Sequence, residues 1–101
     1  MIVRSWCAYA SPAVADSYPE HLLGTVRPKL ARLPGFQGLY LLSRELPNEV
    51  EYRVFTLWES MDAVRAFAGD DIERAVVEPE AAAVLSRFDE HVTHYEVLAK
   101  P

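Results

Sequence analysis

Two runs rich in branched and aromatic side chains, residues 36–44 (FQGLYLLSR) and 50–58 (VEYRVFTLW), are separated by Leu46-Pro47-Asn48-Glu49. Pro and Asn in a short polar break between two strand-like runs are a turn signal of hairpin type, so the runs pair antiparallel. This central hairpin constrains everything around it. Residues 2–9 (IVRSWCAY) read as a strand before it, and residues 91–99 (HVTHYEVLA) as a strand after it. Between the first strand and the hairpin, Leu22, Val26, Leu30 and Leu33 recur at spacings of four, four and three, one face of a helix reaching about residue 32. Ser11-Pro12 opens that segment and Pro34-Gly35 closes it. Pro19 and Pro28 sit awkwardly inside it, which predicts a break or kink near one of them, Pro19 being the first choice.

After the hairpin, Ser60 is a suitable N-cap for a helix over about 61–68, with Val64 and Phe67 inward and Gly69 as its stop. Asp70-Asp71-Ile72-Glu73 has the form of a capping box and predicts a short helix to about residue 77. Pro79 predicts a further helix through Phe88. The order is β-α-β-β-α-β, a ferredoxin-like α+β plan. It puts helices on one face of a four-stranded antiparallel sheet within one domain spanning residues 1–101.

The other face of that sheet is unusual. Tyr52, Val54, Thr56 and Trp58 alternate with Arg53, Phe55 and Leu57. Phe36, Gly38, Tyr40 and Leu42 alternate with Leu39 and Leu41. Large apolar groups lie on both sides, whereas a one-sided sheet alternates apolar with polar. The pattern predicts a homodimer whose sheets pack face to face.

Composition narrows the function. Ten basic against fifteen acidic residues give a net charge of −5, the wrong sign for a nucleic-acid binder. Residues 1–44 carry +3 and residues 45–101 carry −8, either a steering asymmetry for a dimer or a solvated acidic helix face. The single Cys7 excludes an internal disulfide and predicts a small buried side chain in a reducing, cytoplasmic setting. No stretch approaches a membrane span, and the start of the chain lacks a signal-peptide layout. GxGxxG, P-loop, GxSxG and HExxH patterns are all missing, which removes the nucleotide, esterase and zinc-protease readings. His91 and His94 lie three apart, on opposite faces of a strand unless it begins after His91, and no second His or Cys cluster completes a site, so no metal is expected.

His94 remains as a proton-transfer candidate, weighed against a His satisfied in the core or at a dimer seam. Arg4 shares a face with Trp6, and an Arg among apolar groups requires either a ligand anion or a carboxylate such as Glu96. Tyr40, Trp58 and Phe67 complete a candidate aromatic lining with Trp6, or belong simply to the core.

The run Phe55-Thr56-Leu57-Trp58-Glu59-Ser60, the helix from Met61 to Phe67, Ala68-Gly69-Asp70-Asp71-Ile72-Glu73, Pro79 and the closing His94-Tyr95-Glu96-Val97 resemble the antibiotic biosynthesis monooxygenase superfamily. The resemblance implies a dimeric α+β barrel with a pocket between sheet and helices in each subunit. It implies either a cofactor-independent oxygenase acting on a small phenol- or quinol-like aromatic, or haem breakdown. The haem-degrading branch carries an Asn on the first strand, a Trp on the helix of the second half and a His farther along. Here the only Asn is Asn48 in the hairpin, and the other two positions hold Phe67 and Val77, which disfavours haem degradation. For the oxygenase, His94 is the expected base, Arg4 the anion stabiliser, and Trp6, Tyr40, Trp58 and Phe67 the walls, with no cofactor. The alternative is a non-catalytic dimeric module that binds a small apolar ligand.

Overall fold

The computed structural model describes residues Met1–Pro101. Strand β1 (Ile2–Ala10) runs through the middle of the sheet. Along one edge it pairs antiparallel with β3 (Val50–Trp58), which in turn pairs with β2 (Phe36–Glu45) across the expected hairpin. Along its other edge β1 meets two short strands, β4 (Arg87–Phe88) and β5 (Thr93–Glu96). The last strand of the plan is therefore present but broken. Leu85 already has extended backbone, Ser86 N–H donates to Tyr9 O at 2.8 Å, and Asp89 N–H donates to Cys7 O at 3.0 Å. Docking onto β1 thus stops the preceding helix α4 (Pro79–Val84) short of the expected Phe88.

The long helical segment is a composite. A 3₁₀ turn (Pro12–Val14) leads to α1 (Ser17–His21), then a π turn (Leu22–Val26), then α2 (Arg27–Leu30). The irregularity falls ahead of Pro28 and not at Pro19. Pro19 stands in the first turn of α1, where its missing N–H has no intrahelical partner to lose. Pro28 stands in mid-segment, where its ring crowds the carbonyl of Gly24. A widened turn there relieves the clash, and nothing packs against Gly24.

Helix α3 (Met61–Ala68) is capped as expected. Ala63 N–H donates to Ser60 Oγ at 3.2 Å, and Gly69 ends the helix at φ 82°. The predicted helix over 70–77 does not form. Backbone at residues 73–75 runs instead beside residues 90–92. Val92 N–H donates to Glu73 O at 2.7 Å and Ala75 N–H to Glu90 O at 2.8 Å, around an Arg74–His91 bridge. These long-range bonds take up the Glu73 carbonyl and the Ala75 N–H, groups that a helix would have paired within its own ladder.

The helices cover one face of the sheet. A bulge between Phe36 and Gly38 shifts the register of β2. Phe36 therefore packs edge-on against Trp58, 5.3 Å between ring centroids, while Gly38, Tyr40 and Leu42 take the opposite face. The core is in two parts. One holds Ala8, Ala10, Tyr18, Leu22, Tyr52, Val54, Ala81 and Leu85. The other holds Leu30, Trp58 and Val64.

Candidate functional site between sheet and helices

A cavity of about 230 Å³ lies between sheet and helices, lined by members of both core clusters. Inward side chains of β1 and β3 (Arg4, Trp6, Val54 and Thr56) form its floor. The α1–π–α2 segment supplies one wall through Tyr18, His21, Leu22, Val26, Lys29 and Leu30. The extended segment 75–78 supplies another, and Phe67 stands at the end of α3. Thirteen of the eighteen lining residues are apolar, a surface suited to a ring and to few polar groups.

Arg4 is the unusual member. Only 4% of it is exposed, and no carboxylate pairs with it. Its Nη1 donates to Ile72 O at 2.5 Å and its Nη2 to Arg74 O at 2.8 Å. Glu96, the partner considered from sequence, is not among its bonds. Nη1 also lies 3.0 Å from His94 Nε2. Arg4 can only donate, so this His94 nitrogen accepts and the ring proton sits on Nδ1. Burial holds the Arg4 guanidinium below its ordinary pKa. His94 is also lowered, by burial first and then by Arg4, against an opposing pull from Glu73. Arg4 thus does two jobs. It ties the backbone at Ile72 and Arg74 to the sheet, and it presents a buried cation to an apolar cavity.

The sequence-predicted residues divide. Arg4, Trp6 and Phe67 meet at the cavity. His94 pairs with Arg4 in register across β1 and β5 but is not part of the lining. Trp58 is fully buried beneath Phe67, rings stacked at 5.2 Å, with its Nε1 donating to Thr56 Oγ1 at 2.9 Å. It supports the wall without lining it. Tyr40 lies on the opposite face of the sheet, 60% exposed, and contributes nothing to the cavity. Trp6 Nε1 donates to Asp89 O at 2.7 Å, which anchors the break between β4 and β5. Cys7 is buried, as expected.

Local patterning did not single out His21, Lys29 and Glu78. His21 and Glu78 line the cavity, and a ligand atom of each, with one from Glu80, falls within 4.8 Å of the others. Lys29 Nζ lies 3.3 Å from Glu78 Oε2. These three side chains, His21, Glu78 and Glu80, are the ones placed to hold a metal ion; His91 and His94 are not gathered with them. His21 follows Tyr18 by three and precedes Leu22 by one, at the margin of the apolar stripe. That spacing was the one available signal, and Glu78 falls between the two predicted helices, where no local rule places it.

A sheet with helices on one face and a mostly apolar cavity beneath them places the chain in the ferredoxin-like α+β class. The sequence profile of antibiotic biosynthesis monooxygenases matches residues 8–79, and the chain belongs to that family. No curated protein matches it. Among solved structures it is similar to the haem-degrader MhuD from Mycobacterium tuberculosis, seen with two haems in its active site. Identity is 27%, coverage 100% of this chain and 99% of that one, and the TM-score 0.62. It is similar also to the ActVA-Orf6 monooxygenase of Streptomyces coelicolor in complex with nanaomycin D, at 17% identity, 99% and 89% coverage and TM-score 0.64. A third is SnoaB, a cofactor-independent oxygenase from Streptomyces nogalater, at 22% identity, 98% and 95% coverage and TM-score 0.60.

Proposed function

We propose that the cavity binds a small aromatic hydroxy compound and exposes its anion to dioxygen, as a cofactor-independent monooxygenase. The observation that carries this is Arg4, a buried cation without a carboxylate partner facing an apolar cavity. An uncompensated buried charge is costly, and an anionic ligand offsets that cost. Burial among apolar walls also strengthens the attraction, because little water screens it. The reaction needs little more from the protein. The phenol loses its proton, the electron-rich ring reduces dioxygen, one oxygen atom enters a ring carbon as a carbonyl, and the other leaves as water with the ring hydrogen and the phenolic proton. The product is a quinone.

Oxygen consumption with a panel of dihydroxynaphthalenes and quinols tests this. The expected result is one dioxygen consumed per quinone formed, at a rate proportional to enzyme. Saturable binding with no uptake would instead mark a non-catalytic ligand-binding module.

One finding favours a second reading, haem breakdown: the 27% identity to a haem-degrader over the whole chain. Against it stands a cavity of about 230 Å³, at or below the small end of ordinary ligand pockets, roughly 300 Å³. A haem titration followed at the Soret band decides. A sharp one-to-one band favours haem, and an unchanged spectrum favours the small aromatic.

We propose further that the working form is a homodimer joined through the outer sheet face, with no nucleic acid or membrane as partner. Tyr40, Leu42 and Tyr95 stand exposed on that face beside Phe55 and Leu57. No helix is long and apolar enough to cross a membrane. The buried free thiol of Cys7 suits the reducing cytoplasm.

A further inference from the structure

We propose that His21, Glu78 and Glu80 bind one divalent transition-metal ion, which ties α1 to the start of α4 across the wall of the cavity. The inference goes beyond the oxygenase reading and stands whatever ligand the cavity takes. His21 closes α1, Glu78 is the last extended residue before α4, and Glu80 lies in the first turn of that helix. One donor atom of each falls within 4.8 Å of the others. Two carboxylates gathered this closely repel each other. Their one ion pair is Lys29 with Glu78 Oε2 at 3.3 Å, and Glu80 has none.

The imidazole points the same way. His21 Nε2 is shielded from solvent and has no hydrogen-bond partner, although two carboxylates stand beside the ring. A buried polar nitrogen left unpaired lowers stability, so a group that satisfies it is favoured. The lone pair of a neutral imidazole is a metal donor, and a cation between ring and carboxylates satisfies all three groups at once. Bonds of about 2.0–2.2 Å to an ion place its donors roughly 3–4 Å apart. A set already within 4.8 Å closes to that spacing by small side-chain movements, and exposed Glu80 is free to make them. One imidazole nitrogen with two carboxylate oxygens suits zinc, manganese or iron(II). Magnesium prefers oxygen ligands and keeps its waters. Lys29 is the competitor for Glu78, but its side chain is 64% exposed and can withdraw into solvent when the ion arrives.

Zinc alone is the probe, titrated calorimetrically into the full chain after EDTA treatment and dialysis. One zinc per chain is expected, and magnesium at the same concentration should give no heat. Glu80→Gln removes a charged donor from an exposed position and should weaken zinc binding about tenfold or more. His21→Ala should weaken it as much, whereas His91→Ala, outside the group, should change it less than about twofold. Lys29→Met should tighten zinc binding about threefold or more at low salt, because it frees Glu78 and removes a competing positive charge. A misfolded variant would not show such a gain. Zinc should also raise the thermal midpoint of the wild type and of His91→Ala, and leave that of Glu80→Gln unchanged. No zinc uptake, or undiminished affinity in Glu80→Gln, would overturn the site. So would a Lys29→Met affinity that stays level or falls, or several weak ions per chain that persist in every variant. None of these outcomes bears on oxygen consumption, so the two readings fail separately.

Discussion

Arg4 and His94 form a pair whose proton count matters to the fold. Neutral His94 accepts from Arg4, which in turn grips the carbonyls of Ile72 and Arg74. Protonating His94 would set two cations against each other, with only Glu73 in opposition. The folded pKa of His94 lies below its ordinary 6.5. Above 6.5 the ring is neutral in both folded and unfolded chains. As pH falls below that value the unfolded chain takes up a proton first, and stability drops until the folded pKa is reached. The thermal midpoint should therefore be level above about pH 7 and decrease as pH is lowered through about 6.5. His94→Gln, whose amide oxygen accepts at any pH, should show a shallower decrease. Equal slopes in the two proteins would remove His94 from this account. From sequence, Arg4 was recognisable as a cation needing company, because it shares a face with Trp6. The company itself was not recognisable, since backbone carbonyls carry no residue signature.

At the scale of elements, the junction between α2 and β2 is the least forgiving point. Gly35 has φ 82°, a conformation that costs other residues about 1–3 kcal/mol. A Cβ there would come within 2.5 Å of Ala63 Cβ on α3. The Gly35 carbonyl also accepts from Glu59 N–H at 2.8 Å, so the backbone has little room to retreat. Gly35→Ala should lose more than about 2 kcal/mol in a denaturant titration. Adding Ala63→Gly should recover part of the loss, the clash but not the backbone strain. Full recovery would show that the torsion is not under strain. The same junction illustrates which elements were readable. The Pro34-Gly35 stop, the hairpin, the Ser60 cap and the Gly69 stop all act over a few residues, and each formed where predicted. The 70–77 helix failed because its competitor, the 90–92 backbone, is distant in sequence. Tyr40 was misplaced because alternation identifies two faces without saying which one the helices cover. Phe36 was misplaced because a bulge reverses parity, and only the pairing with β3 reveals it.

For the whole molecule, the two faces of the sheet differ in what covers them. Helices cover one sheet face, while the other leaves Tyr40 60%, Tyr95 58% and Leu42 43% exposed. The ion pair Arg44–Glu51 at 2.9 Å borders this patch and would set a polar rim around it. Sedimentation equilibrium should give twice the chain mass of 11.4 kDa. Tyr40→Arg combined with Leu42→Arg should shift the protein toward the single-chain mass while leaving the secondary structure intact. A wild-type protein at the single-chain mass would show that the apolar outer face does not hold two copies together.

Local sequence was enough for the α+β plan, the central hairpin, the caps of α3 and the doubly apolar sheet, because each depends on neighbours a few residues apart. The cavity could not be derived that way. It arises where β1, the π-turned helix and the extended 75–78 segment converge, so a buried cation at Arg4 and an orphaned acceptor at His21 come together. Only long-range hydrogen bonding and packing made that convergence, and no local periodicity encodes it.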